Sequence, residues 1–102
     1  MPGVHGANDP YALPKEAERA YVGVVSRTNE LGQVDVLQVM WPYPPCRTLR
    51  VLSSKELSTR DPAGAGTTAR TWLIRVGRGG AQRVLFHQQG RWFVRHNATD
   101  RG

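Results

Sequence analysis

The sequence predicts a small all-β protein, and three observations indicate this fold class. The chain has 102 residues, which is enough for one domain with a single modest core. It contains 11 glycines and 7 prolines, as is typical of a chain with many turns and short elements. Segments of β-type composition alternate with turn residues along the chain. We therefore expect five or six short antiparallel strands that curl into an SH3-like barrel or a rolled sheet.

The N-terminal part is predicted to contribute least to this sheet. Residues 1–12 show no apolar periodicity and are expected to form a flexible arm. Residues 13–20 are expected to form one or two turns of helix, because Pro14 is tolerated at the start of a helix. A single β domain then spans residues 13–99, and residues 100–102 form a tail.

The first two strands form a predicted hairpin. Residues 20–27 and 34–41 are rich in valine and aromatic side chains, and residues 28–33 between them favour a turn. In the second strand the apolar alternation changes phase between Val36 and Leu37. This change indicates a β-bulge or a strand that is buried on both faces.

A proline-rich bend follows the hairpin. The second strand is expected to end at Trp41, because the prolines after it lack N–H donors for a β-ladder. Residues 47–53 form a third predicted strand, and residues 54–68 are expected to form a long flexible loop. Three further strands are predicted at 69–76, 81–87 and 91–96.

The register of the last three strands decides which residues share a face. Loops at 78–80 and 88–90 sort the apolar side chains most cleanly, so we predict them in preference to a two-residue turn at Gln89 and Gly90. One face then carries the rows Trp72/Phe86/Trp92 and Ile74/Val84/Val94. The opposite face carries the rows Thr71/His87/Arg91, Leu73/Leu85/Phe93 and Arg75/Arg83/Arg95.

The excess positive charge lies in the same part of the chain. The net charge is +6, and residues 62–99 contain six arginines and no acidic residue, whereas the rest of the chain is balanced. Three arginines in one row repel each other. Arginine beside an exposed aromatic ring is also typical of nucleic-acid platforms, on which guanidinium groups neutralise phosphates and Phe93 stacks against a base.

We therefore expect a non-enzymatic binding module that takes nucleic acid or another anionic partner, such as an acidic protein. The residues predicted to bind it are Arg75, Arg83, Arg91, Arg95, His87 and Phe93. A protein interface or a homodimer through Leu73, Leu85 and Phe93 is the alternative. A third interpretation is a solvated arginine face, with the apolar row forming a second small core under residues 13–20 or part of a closed barrel.

Catalytic, metal-binding and nucleotide-binding motifs are missing from the sequence. The histidines have no Cys or carboxylate at metal-ligand spacing, and no serine lies in a nucleophile motif. The only cysteine, Cys46, excludes an intramolecular disulfide, and no apolar stretch is long enough to span a membrane. We expect no enzymatic activity, no cofactor, no metal and no membrane partner, and a cytoplasmic location.

Overall fold

The fold is one antiparallel sheet of seven strands that curls into a half-barrel. The computed structural model describes residues 10–43, 46–58 and 68–96. A 3₁₀ turn (Glu16–Glu18) precedes the sheet, where the sequence predicted a helix. The strands are β1 (Arg19–Tyr21), β2 (Gly23–Thr28), β3 (Val34–Trp41), β4 (Arg47–Leu57), β5 (Arg70–Val76), β6 (Ala81–Gln88) and β7 (Arg91–Arg95). The all-β prediction is confirmed.

The sheet curls because two stretches of chain pair with both of its halves: β1 and β2 pair with β7 and β3, and β4 pairs with β3 and β5. The strand order is β1-β7-β6-β5-β4-β3-β2. Its two end strands, β1 and β2, are separated only by Val22, whose N–H donates to the carbonyl oxygen of Trp92 at 3.0 Å. The long strand β4 pairs with β3 through its first half and with β5 through its second half. An extra residue at Leu52 shifts the β4–β5 register and helps β4 to bend.

The bulge predicted in β3 is present. Val25 and Ser26 of β2 are consecutive, but their partners in β3 are Gln38 and Val36, so Leu37 is the extra residue. A bulge changes the side-chain alternation by one position. As a result, β3 keeps its core residues on one face although they do not follow strict alternation.

The main core lies on the concave side of the curled sheet, which we call the inner face. Its largest fully buried members are Trp72 and Ile74 from β5, Leu85 from β6 and Val39 from β3. Strand β7 adds Val94, so every strand from β3 to β7 except β4 contributes a fully or nearly fully buried residue. The opposite side of the sheet is called the outer face below.

The predicted register of β5, β6 and β7 is wrong by one residue. Phe86 pairs with Phe93 across β6 and β7, and Trp72 pairs with Leu85 across β5 and β6. The β6–β7 connection is the two-residue turn at Gln89 and Gly90, with φ angles of 54° and 77°. Two residues with positive φ match the twist of a tight hairpin, so local turn geometry favours this register.

The structure tolerates this register because protein covers the inner face of β5–β7 and also part of the outer face. Thr71, Phe86 and Phe93 lie on the outer face, and each is 0% exposed. Residues 11–14 lie over this face, with Ala12 and Pro14 buried. Apolar side chains on the outer face are therefore removed from water, and hydrophobic sorting into one face is not required.

Candidate anion-binding face

The predicted row Arg75/Arg83/Arg95 does not form. Arg75 is exposed on the outer face of β5. Arg83 pairs with the core residue Ile74 and therefore points to the inner face, where its guanidinium carbon lies 5.5 Å from the centre of the Trp41 ring. The one-residue change of register places these arginines on opposite sides of the sheet.

The two arginines of β7 lie on the outer face, and both contact the protein itself. The guanidinium carbon of Arg91 lies 3.8 Å from the centre of the Tyr21 ring. Arg95 donates to the carbonyl oxygen of Ala12 and to the carboxylate of Glu18, the latter at 3.4 Å. Arg95 therefore fixes the N-terminal segment against the sheet.

His87 also points inward. Its ring centre lies 4.6 Å from that of Trp92. Burial lowers the pKa of His87, and the positive charge of Arg70 lowers it further. Since both effects favour the neutral ring, His87 is poorly placed to attract an anion.

Phe93 does not form an exposed stacking surface. It is 0% exposed and lies under Arg19, whose guanidinium carbon is 4.3 Å from the ring centre. Leu85 is 0% exposed on the inner face, and Leu73 is half-buried on the outer face. The row Leu73/Leu85/Phe93, predicted as an interface, is thus split between the two faces, and two of its three members offer no surface to a partner.

The structure brings a different set of cations onto one surface. Three basic side chains lie on the outer face of β4 and β5, and a fourth is exposed in the turn that follows β5. We call this surface the basic face, and its members are Arg50, Lys55, Arg75 and Arg78.

Strand pairing positions these side chains. Ser53 pairs with Arg75 and Lys55 pairs with Leu73, so Lys55 and Arg75 project from adjacent strands on the outer face. Arg50 lies at the other end of this ladder, where its carbonyl oxygen accepts a hydrogen bond from Gly77 at 3.1 Å. The turn at 77–80 therefore holds Arg78 close to the Arg50 end of the face.

No carboxylate of the described residues lies within ion-pair distance of these four side chains. The acidic residues of the described ranges lie elsewhere: Glu16 and Glu18 in the 3₁₀ turn, Glu30 in the β2–β3 loop, Asp35 on β3 and Glu56 on the inner side of β4. The ion pairs seen in these ranges join Asp35 to Arg27, Glu56 to Arg70 and Glu18 to Arg95. The basic face thus carries uncompensated positive charge within the described part of the chain.

Arg70 shows the opposite situation. It donates two hydrogen bonds to the carboxylate of Glu56, at 2.8 and 2.7 Å. This contact lowers the pKa of Glu56, chiefly through the hydrogen bonds, and raises the pKa of Arg70. A bidentate pair of this kind neutralises the arginine, so Arg70 does not add to the basic face.

Sequence reasoning missed three members of the basic face, Arg50, Lys55 and Arg78, of which Arg78 was assigned only to a hairpin loop. The third strand was predicted to end at Ser53, which assigned Lys55 to a loop, whereas β4 continues to Leu57 by pairing with β5. Arg50 lies on a predicted strand, but the neighbour of that strand was not assigned. The pairing of β4 with β5 would have revealed the face, and no local motif encodes it.

Other chemistry is limited in the part of the chain that the structure describes. In residues 10–43, 46–58 and 68–96 no group of three His, Cys, Asp or Glu side chains is arranged to hold a metal ion. No helix in these ranges is long and apolar enough to cross a membrane. Comparisons with protein-family models, with curated proteins and with solved structures give no significant match.

Proposed function

We propose that this protein is a non-enzymatic module that binds nucleic acid through phosphate contacts on the basic face. The observation that carries this proposal is the presence of Arg50, Lys55, Arg75 and Arg78 on one surface without a described acidic neighbour. Phosphate groups are neutralised by such clusters, and the release of counterions then drives binding.

The composition of the face favours contacts with the phosphate backbone over contacts with bases. Its neighbouring side chains include Thr48, Ser53 and Gln82, which can donate to phosphate oxygens. Its exposed apolar member is Leu52, and none of the described aromatic residues is exposed there to stack on a base. We therefore propose binding with little sequence preference.

A salt titration tests this proposal directly. Four phosphate contacts predict that the logarithm of the association constant falls linearly with the logarithm of salt concentration, with a slope of about −3.6 for double strands and about −2.8 for single strands. The measurement is fluorescence anisotropy with labelled single- and double-stranded oligonucleotides. Arg75→Gln should weaken binding and reduce the magnitude of the slope by about 1.

The matched control is Arg27→Gln, which removes the same charge from β2, where Arg27 pairs with Asp35 at 3.7 Å. This variant should bind nearly as the parent protein does. Equal loss in both variants would show that only net charge matters, and undetectable binding at low salt would exclude the function.

We also propose that the half-barrel is SH3-like. Because β1 and β2 are separated by one residue, they can be regarded as a single bent strand. That view gives six strands and supports an SH3-like barrel, a fold that hosts many unrelated binding functions.

A further inference from the structure

The turn between β5 and β6 presents one arginine on a tip that carries no other side chain. The turn spans residues 77–80, and Gly80 donates to the carbonyl oxygen of Gly77 at 3.3 Å. Its sequence is Gly-Arg-Gly-Gly, and the side chain of Arg78 is exposed. The N–H of Gly77 donates to the carbonyl oxygen of Arg50 at 3.1 Å, which joins the turn to β4. Arg78 therefore stands on a narrow loop that is anchored to the sheet.

One glycine of this turn is not required by the fold. Gly77 and Gly80 have φ angles of 69° and 64°, in the left-handed region that favours glycine. Gly79 lies outside that region, and a Cβ atom on it would meet no atom of the described residues within 4 Å apart from its chain neighbours. Neither backbone conformation nor packing explains this glycine. Glycine also occurs where another molecule approaches the backbone closely, and Gly79 is exposed.

A large apolar side chain lies beside the same turn. Leu52 is the extra residue of the β4 bulge, and it is 54% exposed. Its Cδ1 atom lies 3.9 Å from the position that a Cβ atom would take on Gly80. A leucine this exposed contributes little to a core, and bulges can direct a side chain toward a functional surface. The exposed side chains of Leu52 and Arg78 therefore lie at the same end of β4.

The aromatic residues of the chain favour a double-stranded ligand for the basic face. The three tryptophans, three tyrosines and two phenylalanines all lie in the described ranges, and each is buried or half-buried. Single strands are bound largely by stacking their bases on accessible aromatic rings. A duplex keeps its bases stacked inside and offers a higher density of phosphate charge. Cations without exposed aromatic rings therefore suit a duplex better than a single strand.

The minor groove of DNA fits the side chains around the turn. The groove is only about 6 Å wide, so it admits single side chains more easily than a whole strand pair. Its negative potential attracts arginine, most strongly where the groove is narrow. Proteins that bind there also place apolar side chains such as leucine against the base steps. A turn in which glycines surround Arg78 lacks the neighbouring side chains that would collide with the groove walls.

We propose that the basic face binds the minor groove of a DNA duplex, with Arg78 inserted into the groove and Leu52 against a base step. Arg50, Lys55 and Arg75 contact the phosphates that border the groove. The inference rests on the proposed function and adds the type of nucleic acid and the groove. An RNA duplex fits less well, because its minor groove is wide and shallow. Groove width is greatest in its effect at A·T tracts, so the small remaining sequence preference is for A·T base pairs.

Fluorescence anisotropy with four labelled probes of equal length tests this proposal: an A·T-rich DNA duplex, a G·C-rich DNA duplex, an RNA duplex and a single DNA strand. The A·T-rich duplex should bind most tightly, by about threefold over the G·C-rich duplex. Netropsin, a small ligand of the A·T minor groove, should displace the protein from it. Equal or tighter binding of any other probe, or no displacement by netropsin, would overturn the minor-groove proposal and leave phosphate binding intact. No binding to any probe would overturn both.

A matched pair of charge-conserving variants identifies the inserted arginine. Arg78 and Arg75 are both exposed, so Arg78→Lys and Arg75→Lys should fold as the parent protein does. A lysine can serve a phosphate as a point charge, so Arg75→Lys should keep the A·T preference within about twofold. An ammonium group is more strongly hydrated than a guanidinium group, so Arg78→Lys should abolish the preference. Equal effects of the two variants would contradict the assignment of Arg78 to the groove.

A bulkier tip tests the role of the unexplained glycine. Gly79→Val adds a side chain where the described part of the fold leaves space, so its circular dichroism and thermal stability should match those of the parent. Binding to the A·T-rich duplex should weaken by about threefold or more, because the wider tip fits the groove less well. Ser26→Val, at an exposed position on β2 outside the basic face, is the control and should leave binding unchanged. Undiminished binding by Gly79→Val would place the tip outside the groove.

Discussion

The two ends of the strand order are built differently. Strands β5, β6 and β7 carry fully buried residues on both faces, in the main core on one side and near residues 11–14 on the other. Strands β2 and β3 bury only their inner face, and Val25 and Met40 on their outer face are 41% and 46% exposed. The same type of strand therefore carries two layers of packing at one end of the sheet and a single layer at the other.

Where the outer face is covered, arginine side chains contribute to the packing. On the outer face near β7, Arg19 covers the ring of Phe93 and Arg91 covers the ring of Tyr21. Arginine can place its apolar stem and planar head over aromatic rings while part of the group stays in water. Several arginines that the sequence assigned to a binding surface thus pack against the protein itself. The basic side chains without an ion-pair partner among the described residues include those on β4, on β5 and in the turn after β5.

The largest expected change in unfolding free energy tests whether the buried residues on the outer face of β5–β7 form a second core. Phe93→Ala removes a ring that stacks on Phe86 at 5.7 Å and meets Tyr21 edge-on at 5.6 Å. The variant should lose about 3–5 kcal/mol of unfolding free energy, as a fully buried phenylalanine does. Urea denaturation monitored by circular dichroism gives this value.

The matched change on the outer face of β2 is Val25→Ala. It should alter the unfolding free energy by less than about 0.5 kcal/mol because the side chain is exposed. Similar losses for Phe93→Ala and Val25→Ala would contradict the distinction between the two regions.

An intermediate effect is expected from the arginine that fixes the N-terminal segment. Arg95→Gln removes the hydrogen bonds to Ala12 and Glu18, so the unfolding free energy should fall by about 1–3 kcal/mol. Arg27→Gln breaks only an exposed ion pair on β2 and should cost less than about 1 kcal/mol. If urea denaturation gives the same loss for both, residues 11–14 are not held as described.

The smallest effect concerns the pH dependence of stability. Because the pKa of His87 is lowered in the folded protein, the unfolded chain takes up this proton first as the pH falls. The contribution of His87 to the unfolding free energy should therefore be fully present above the ordinary histidine pKa of about 6.5. It should decline as the pH falls below that value, until the pH passes the lower pKa of the folded state.

His87→Gln should reduce the loss of stability between neutral pH and the onset of carboxylate protonation, as measured by thermal melts across that range. An unchanged pH profile would show that the environment of His87 does not oppose its protonation. The loss due to Glu56, whose pKa is also lowered, should follow only at more acidic pH, below its ordinary value of 4.5.

The sequence predicted much of the fold because its strands are bounded by strong local signals. Turn residues and β-type composition located β3 and β5–β7 to within one residue at most of their ends, and the phase change at Leu37 located the bulge. The register failed because the prediction assumed one wet face. The residues that remove that face from water, Ala12 and Pro14, lie in a segment without a local pattern.

The candidate site was predictable only in its charge, and not in its position. An arginine on a strand points to either face according to register, and the one-residue shift placed Arg83 on the face opposite Arg75. Lys55 and Arg50 joined the face through the pairing of β4 with β5, a long-range contact. Composition indicates an anionic partner, but only the strand pairing shows which cations stand together.

The register of β5, β6 and β7 is the claim that decides which arginines of these strands share a face of the sheet. NMR measurement of cross-strand backbone NOEs tests it most directly. The structure predicts contacts that pair Phe86 with Phe93 and Thr71 with Phe86. Contacts that instead pair Phe86 with Trp92 and Trp72 with Phe86 would establish the alternative register, return Arg75, Arg83 and Arg95 to one row, and contradict the account.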